Sequence, residues 1–314
     1  MNEKSSRNKT ITITEEDRIN LEKNILREDT EFSIKNITNK IILGDTLAII
    51  SKLPKNFIDL LIIDPPYNLS KNYHGNKFQE RSEQDYLEYL DSWFVQLIPC
   101  LKSTASIYVC CDWKSSQAIY MTMSKYLIIQ NRITWQREKG RGAKQNWKNG
   151  MEDIWFATCS KKYYFNIDAV KIKRKVIAPY KKDGVPKDWE ETKNGNFRLT
   201  YPSNFWDDIS IPYWSMPENT EHPTQKPEKL IAKLILASSE EGNFVFDPFL
   251  GSGTTAVVAK KLNRIYSGIE QNIEYCLLSE KRLNRVETDK SIQGYTGVFW
   301  ERNTKPVKEK NNIE

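Results

Sequence analysis

Short apolar runs alternate with helix-length stretches in two separate parts of this sequence. Ile41–Leu43 reads as a strand, Thr46 to Leu53 as a helix, and Ile58 to Asp64 as a second, buried strand. A helix over 84–100, a strand over 106–111, a helix from Lys114 and a strand over 131–135 continue the pattern. It resumes after residue 217 with a helix over 228–239, a strand over 244–247, a helix over 254–262, a strand over 265–269 and a helix over 273–285. Such β-α-β-α order predicts an α/β fold, a doubly wound and mostly parallel sheet covered by helices. The 314 residues suffice for one large domain with an insertion.

The two halves are separated by a region of another kind. From 137 to 217 helical periodicity is absent, and Pro179, Pro186, Pro202, Pro212 and Pro217 punctuate the chain. Residues 131–200 carry 17 Lys and Arg against 8 Asp and Glu, whereas the whole chain is only +6. Positive charge is therefore concentrated here and the remainder is slightly acidic, which suggests a polyanionic partner. Residues 1–38 read as a polar extension with a weak helix capped by Thr14 and Asp17. Residues 301–314 read as a disordered tail. No apolar run approaches the roughly 20 residues that span a bilayer, and the first ten residues lack the apolar core of a secretory signal. The five cysteines show no C-x-x-C spacing, which argues against disulfides and a zinc site and suits a reducing cytoplasm.

Two strand ends carry the chemistry. The run Leu60-Leu61-Ile62-Ile63-Asp64 stops at Pro65-Pro66, followed by Tyr67 and Asn68. Two prolines make a stiff turn whose carbonyls point outward as acceptors. Asp64 is a further acceptor, and Tyr67 offers a ring on which a base can stack. Two acceptors beside a stacking face suit an exocyclic amino group on a heteroaromatic ring. At the second strand end, Asp247 precedes Gly251 and Gly253, then Thr254 and Thr255 open a helix. The glycines allow close approach of a ligand, and Glu270, ending the next strand, suits ribose hydroxyls. No lysine follows the glycines, which argues against triphosphate binding. Both loops lie at carboxyl ends of strands and open on one edge of the sheet.

With these residues in place the chain resembles the amino methyltransferases of DNA, which use S-adenosyl-L-methionine. "DPPYN" looks like their catalytic motif and "DPFLGSGTT" like their methyl-donor motif. "HPTQKP", His222 to Pro227, resembles the segment before the donor motif, and "LGDTLAIISKLP", Leu43 to Pro54, the segment before the catalytic strand. Catalytic motif before donor motif is the circularly permuted order of the β class. The resemblance spans about residues 41–285 and implies a Rossmann-like methyltransferase fold with an inserted target-recognition region. It implies a catalytic half over 39–136, recognition over 137–217 and a donor-binding half over 218–300. Asp64, Pro65, Pro66 and Tyr67 would be catalytic. Asp64, Asp247, Phe249, Gly251, Gly253, Thr254, Thr255 and Glu270 would surround the donor, with Asp45 at its adenine and Thr224 and Lys226 at its carboxylate. His222 would fix the loop rather than catalyse.

The implied substrate is double-stranded DNA. Its target base must be flipped out to be reached, and Asp before Pro-Pro goes mainly with adenine N6, Ser with cytosine N4. Cytosine N4 is the runner-up. A non-catalytic DNA-binding relative is disfavoured by the intact Asp64, Tyr67, Gly251 and Gly253. Arg141, Lys144, Asn146 and Lys148 suit base edges and phosphates, and Lys173, Arg174 and Lys175 suit phosphates alone. Trp147 and Trp155 are expected to pack. The family commonly works beside a restriction endonuclease, and its β class often forms homodimers.

Overall fold

The computed structural model describes residues 6–73, 76–137, 144–176, 180–292, 295–296 and 298–300. A nine-stranded sheet forms the centre. Its strands are β1 (Leu26–Arg27), β2 (Lys40–Leu43), β3 (Ile58–Ile63), β4 (Leu101–Cys111), β5 (Ile128–Gln136), β6 (Met151–Thr158), β7 (Phe205–Trp206), β8 (Phe244–Asp247) and β9 (Ile265–Glu270). Their spatial order is β1-β2-β9-β8-β3-β4-β6-β5-β7. Every neighbouring pair is parallel except the two made by β6, which runs antiparallel between β4 and β5.

The helices are α1 (Glu15–Leu21), α2 (Ile34–Ile37), α3 (Thr46–Ile49), α4 (Glu83–Leu97), α5 (Ser116–Ser124), α6 (Glu228–Ser238), α7 (Thr254–Lys261) and α8 (Ile273–Arg285). They cover both faces, as a parallel sheet requires. Alternate residues of β3 show it. Leu60 and Ile62 belong to one buried cluster, with α6 and α7, and Leu61 and Ile63 to the other, with α4. The five cysteines are free. Among the described residues no helix is long and apolar enough to cross a membrane.

Two expectations need correction. β6 lies inside the stretch expected to be irregular, so residues 151–158 belong to the central sheet. Second, residues 172–175, 190–192 and 195–200 form another sheet, and 298–300 pairs with 172–175 in it. The chain thus returns from the donor half to the basic region, and residue 300 does not close the donor half. The extension over 1–38 forms the expected capped helix, α1, which packs on α8, and it also supplies β1. The Thr14–Asp17 capping box is formed, Lys281 Nζ contacts Asp17 at 2.5 Å, and Ile11 is buried with Tyr275 and Leu278. Residues 301–314 lie outside the described residues.

Candidate active site

The carboxyl ends of β3, β4, β8 and β9 open on one edge of the sheet, where a cavity of about 200 Å³ lies. Its wall includes Asp64, Pro65, Pro66, Tyr67, Thr224, Lys226, Asp247, Phe249, Gly251, Thr254, Thr255 and Glu270. The two strand-end loops meet there.

At the catalytic-motif end the charges are tightly paired. The Tyr67 hydroxyl donates to Asp64 Oδ1 at 2.8 Å, and the Lys226 ammonium donates to Asp64 Oδ2 at 2.6 Å. The same ammonium lies 3.3 Å from Glu152 Oε2, and Glu152 Oε1 meets Arg137 at 2.7 Å. Burial works against the charge on Lys226, but Asp64 and Glu152 outweigh it and raise its pKa, so it stays an ammonium. Burial, then the Asp64 and Glu152 charges, push the Tyr67 phenol well above its ordinary range, so it remains a donor. Tyr86 donates to the Pro66 carbonyl at 3.0 Å. The Asn68 side chain bonds the Arg81 backbone, at 2.9 Å to its carbonyl and 2.8 Å from its N–H, which pins the turn.

Glu152 was missed by sequence reasoning. It is buried and reaches this edge because β6 runs backwards. The first residues of an antiparallel strand lie where its neighbours end, and Glu152 and Asp153 face Trp135 and Cys111 in register. The usable signal was the apolar run Ile154-Trp155-Phe156-Ala157 directly after two acids, a short buried strand amid polar sequence.

At the donor-motif end the acids organise the loop. Asp247 accepts from Thr255 Oγ1 at 2.6 Å and from the Phe249 N–H at 3.0 Å. Glu270 accepts from the Gly251 N–H at 2.9 Å and the Asn272 N–H at 2.8 Å. Burial pushes both carboxyls up to about 7. Behind the loop, Arg282 donates to the Ser252 carbonyl at 2.8 Å, to Thr254 at 3.0 Å and to Glu228 at 3.0 Å. His222 stacks edge-on against Tyr275, with centroids 4.3 Å apart, and its Nδ1 accepts from the Thr224 N–H at 3.3 Å. It lies beside Gly251 and also lines the cavity wall.

Not every expected residue joins the cavity. Asp45 is exposed, caps α3 through the Leu47 N–H and does not line the wall. Gly253 is also absent from the wall, because α8 approaches it from behind: a Cβ there would lie 2.4 Å from Ser279 Oγ. Lys226 does line the wall, with its ammonium bonded to Asp64 and Glu152. Lys144, Asn146 and Lys148 are exposed in the loop between β5 and β6, and Arg141 lies outside the described residues. Trp155 packs, donating to the Ser116 carbonyl at 3.1 Å, but Trp147 is 95% exposed. Packing cannot be its role, because it has no surrounding core.

Fold and site together define an α/β protein whose proline-bounded acidic loop and glycine-rich loop share one cavity. Residues 58–281 match the family model described as DNA methylase, and the chain belongs to this family. It is 35% identical over 262 residues to Type II methyltransferase M.HpaI of Haemophilus parainfluenzae, covering 82% of this chain and 77% of that one. It is 34% identical over 264 residues to DNA adenine methyltransferase YhdJ of Escherichia coli, covering 82% and 86%. Among solved structures it resembles the M1.HpyAVI–SAM complex, with TM-score 0.54 and 22% identity over 78% of this chain and 98% of that one. The cytosine-N4-specific PvuII DNA methyltransferase gives TM-score 0.56 and 17% identity over 80% and 92%. These two likenesses establish the fold.

Proposed function

We propose that this DNA methyltransferase acts on the exocyclic N6 of an adenine flipped out of duplex DNA, at specific sites, with S-adenosyl-L-methionine as donor. The carrying observation is the Asp64 carboxylate at the rim of a cavity that continues to Gly251 and Glu270. Asp rather than Ser before Pro-Pro favours adenine over cytosine, and YhdJ, similar over most of its length, bears the adenine name.

The residues present fit the donor. Glu270 stands at the end of β9, where a ribose would be bound, and the loop from Phe249 to Gly251 lines the same cavity. When bound, the donor supplies an electrophilic methyl group on a sulfonium. The chain supplies alignment and charge. Asp64 and the Pro65 carbonyl would accept the two amino protons and aim the nitrogen lone pair. Positive charge grows on that nitrogen as it is alkylated, and the Asp64 carboxylate offsets it in a site screened from water. Tyr67 swings from Asp64 to stack on the flipped base.

The region 159–204 is the target-recognition part, together with the exposed loop bearing Lys144, Asn146 and Lys148. Its strand over 172–175 carries Lys173, Arg174 and Lys175. A companion endonuclease reading the same site, a homodimer and a cytoplasmic setting belong to this reading.

Tritiated-methyl transfer to duplex DNA, followed by nucleoside chromatography, tests the proposal. N6-methyladenine is expected, and N4-methylcytosine would overturn it. Asp64→Ala should slow transfer by about 100-fold or more while S-adenosylhomocysteine still binds; near-parental turnover removes Asp64 from the reaction.

A further inference from the structure

We infer that Glu152 is a positioning residue for methyl transfer: it holds the Lys226 ammonium while Asp64 engages the acceptor amino group. The inference rests on the reading of Asp64 as the residue that receives that group.

Lys226 stands between two carboxylates, 2.6 Å from Asp64 Oδ2 and 3.3 Å from Glu152 Oε2. In the resting arrangement Asp64 is therefore largely neutralised, its other oxygen bonded to Tyr67. An amino group arriving at Asp64 develops positive charge, and an ammonium still seated on that carboxylate would repel it. Like charges a few ångströms apart in a partly buried site oppose each other strongly, which works against the benefit of the carboxylate. Glu152 offers the ammonium another seat within the same contact, so a small shift of the Lys226 tip exchanges its principal partner. No charge is left unpaired, since Arg137 continues to hold Glu152 Oε1 at 2.7 Å.

The placement makes this more than a surface ion pair. Glu152 and Lys226 are both buried or nearly so, with side chains 5% and 10% exposed. The Tyr67 hydroxyl already lies 3.4 Å from Glu152 Oε2, so the carboxylate faces the group that must leave Asp64 when a base enters. Three segments distant in sequence supply the three charged groups. Only the reversal of β6 brings the third to this edge.

The experiment is a double-mutant cycle on the full chain, read as single-turnover methyl transfer to duplex DNA, with S-adenosylhomocysteine and DNA affinities measured separately. Glu152→Gln keeps the size and a polar tip but loses the charge. It should slow transfer about tenfold or more while both affinities stay within about threefold, because only the charged state of the acceptor site is altered. In a Lys226→Met background the same change should cost less than about twofold, since no ammonium remains to be seated. Glu152→Asp, which keeps the charge but sets it further from Lys226, should lose about three- to tenfold and decides the matter if the amide variant does not fold. Parental rates in folded Glu152→Gln, or in Glu152→Asp if the amide variant does not fold, would overturn the inference. So would losses that add in the double variant, as a purely structural role would give. A parent chain that transfers no methyl group to DNA would instead overturn the functional reading itself.

Discussion

A single methyl group added at Gly253 would meet the Ser279 hydroxyl at 2.4 Å, where the backbone holds φ at +79°. The neighbour that demands glycine is a protein helix, not a bound ligand. Gly253→Ala should therefore destabilise the chain by about 1–3 kcal/mol through overpacking and strain, with a lower Tm in thermal denaturation. S-adenosylhomocysteine affinity of the folded fraction should change little. An unchanged Tm with lost affinity would return the residue to the ligand wall. Gly251 is comparable, with φ at +54° and His222 Nε2 only 3.0 Å from where a Cβ would lie. Motif spacing made these glycines legible but not their reason, because close approach in a glycine loop looks the same in sequence whether the visitor is a ligand or a helix. Lys226 is similar. Its charge was readable, whereas its choice of partner depended on Glu152, more than seventy residues earlier.

At the scale of elements, the parallel strands and their helices were legible because each apolar run is bounded by turn signals and followed by helical periodicity. β6 was not, since its neighbours in sequence are polar, basic and glycine-rich, and its apolar run spans only four residues. The basic strand Ile172–Lys175 was read as one charged block, yet alternation divides it between two faces. Arg174 lies directly opposite Arg198, and both are exposed, while Lys173 stands 5.0 Å over the Phe197 ring. Like charges directly opposite on two strands repel; Asp188, 3.4 Å from Arg198 Nη1, offsets part of this, and a bound polyanion would offset more. Arg174→Ala with Arg198→Ala should flatten the salt dependence of DNA binding by about 0.9 log–log units per lost phosphate contact, and Lys173→Ala with Lys175→Ala should flatten it less. Titrations at several salt concentrations measure both slopes. Equal slopes in all three proteins would make the ribbon solvated surface.

For the molecule as a whole, three buried acids should make stability depend on pH near neutrality. Asp247, Glu270 and Glu218 are pushed up to about 7, chiefly by burial. The folded chain thus keeps protons that the unfolded chain has already released above its ordinary carboxylate range. Stability from this source is fully present below the ordinary carboxylate range and is lost as pH rises from there through 7. The loss between pH 5 and 8 should reach at least about 1.4 kcal/mol, the equivalent of one pKa unit at one site. Chemical denaturation across that interval measures it, and stability that is flat or rising would remove the protonated state from these acids. The reversed strand also bears on how such a chain can be recombined. An exchange of the whole span 137–217 with a relative would pull β6 and β7 out of the central sheet and carry Glu152 away with them. Cuts placed at 159 and 204 leave that sheet whole, but they divide the smaller sheet from its strand over 298–300, which would have to travel too. If the region 159–204 chooses the target, it is therefore not a detachable cassette, because its sheet takes in a strand from beyond the donor half.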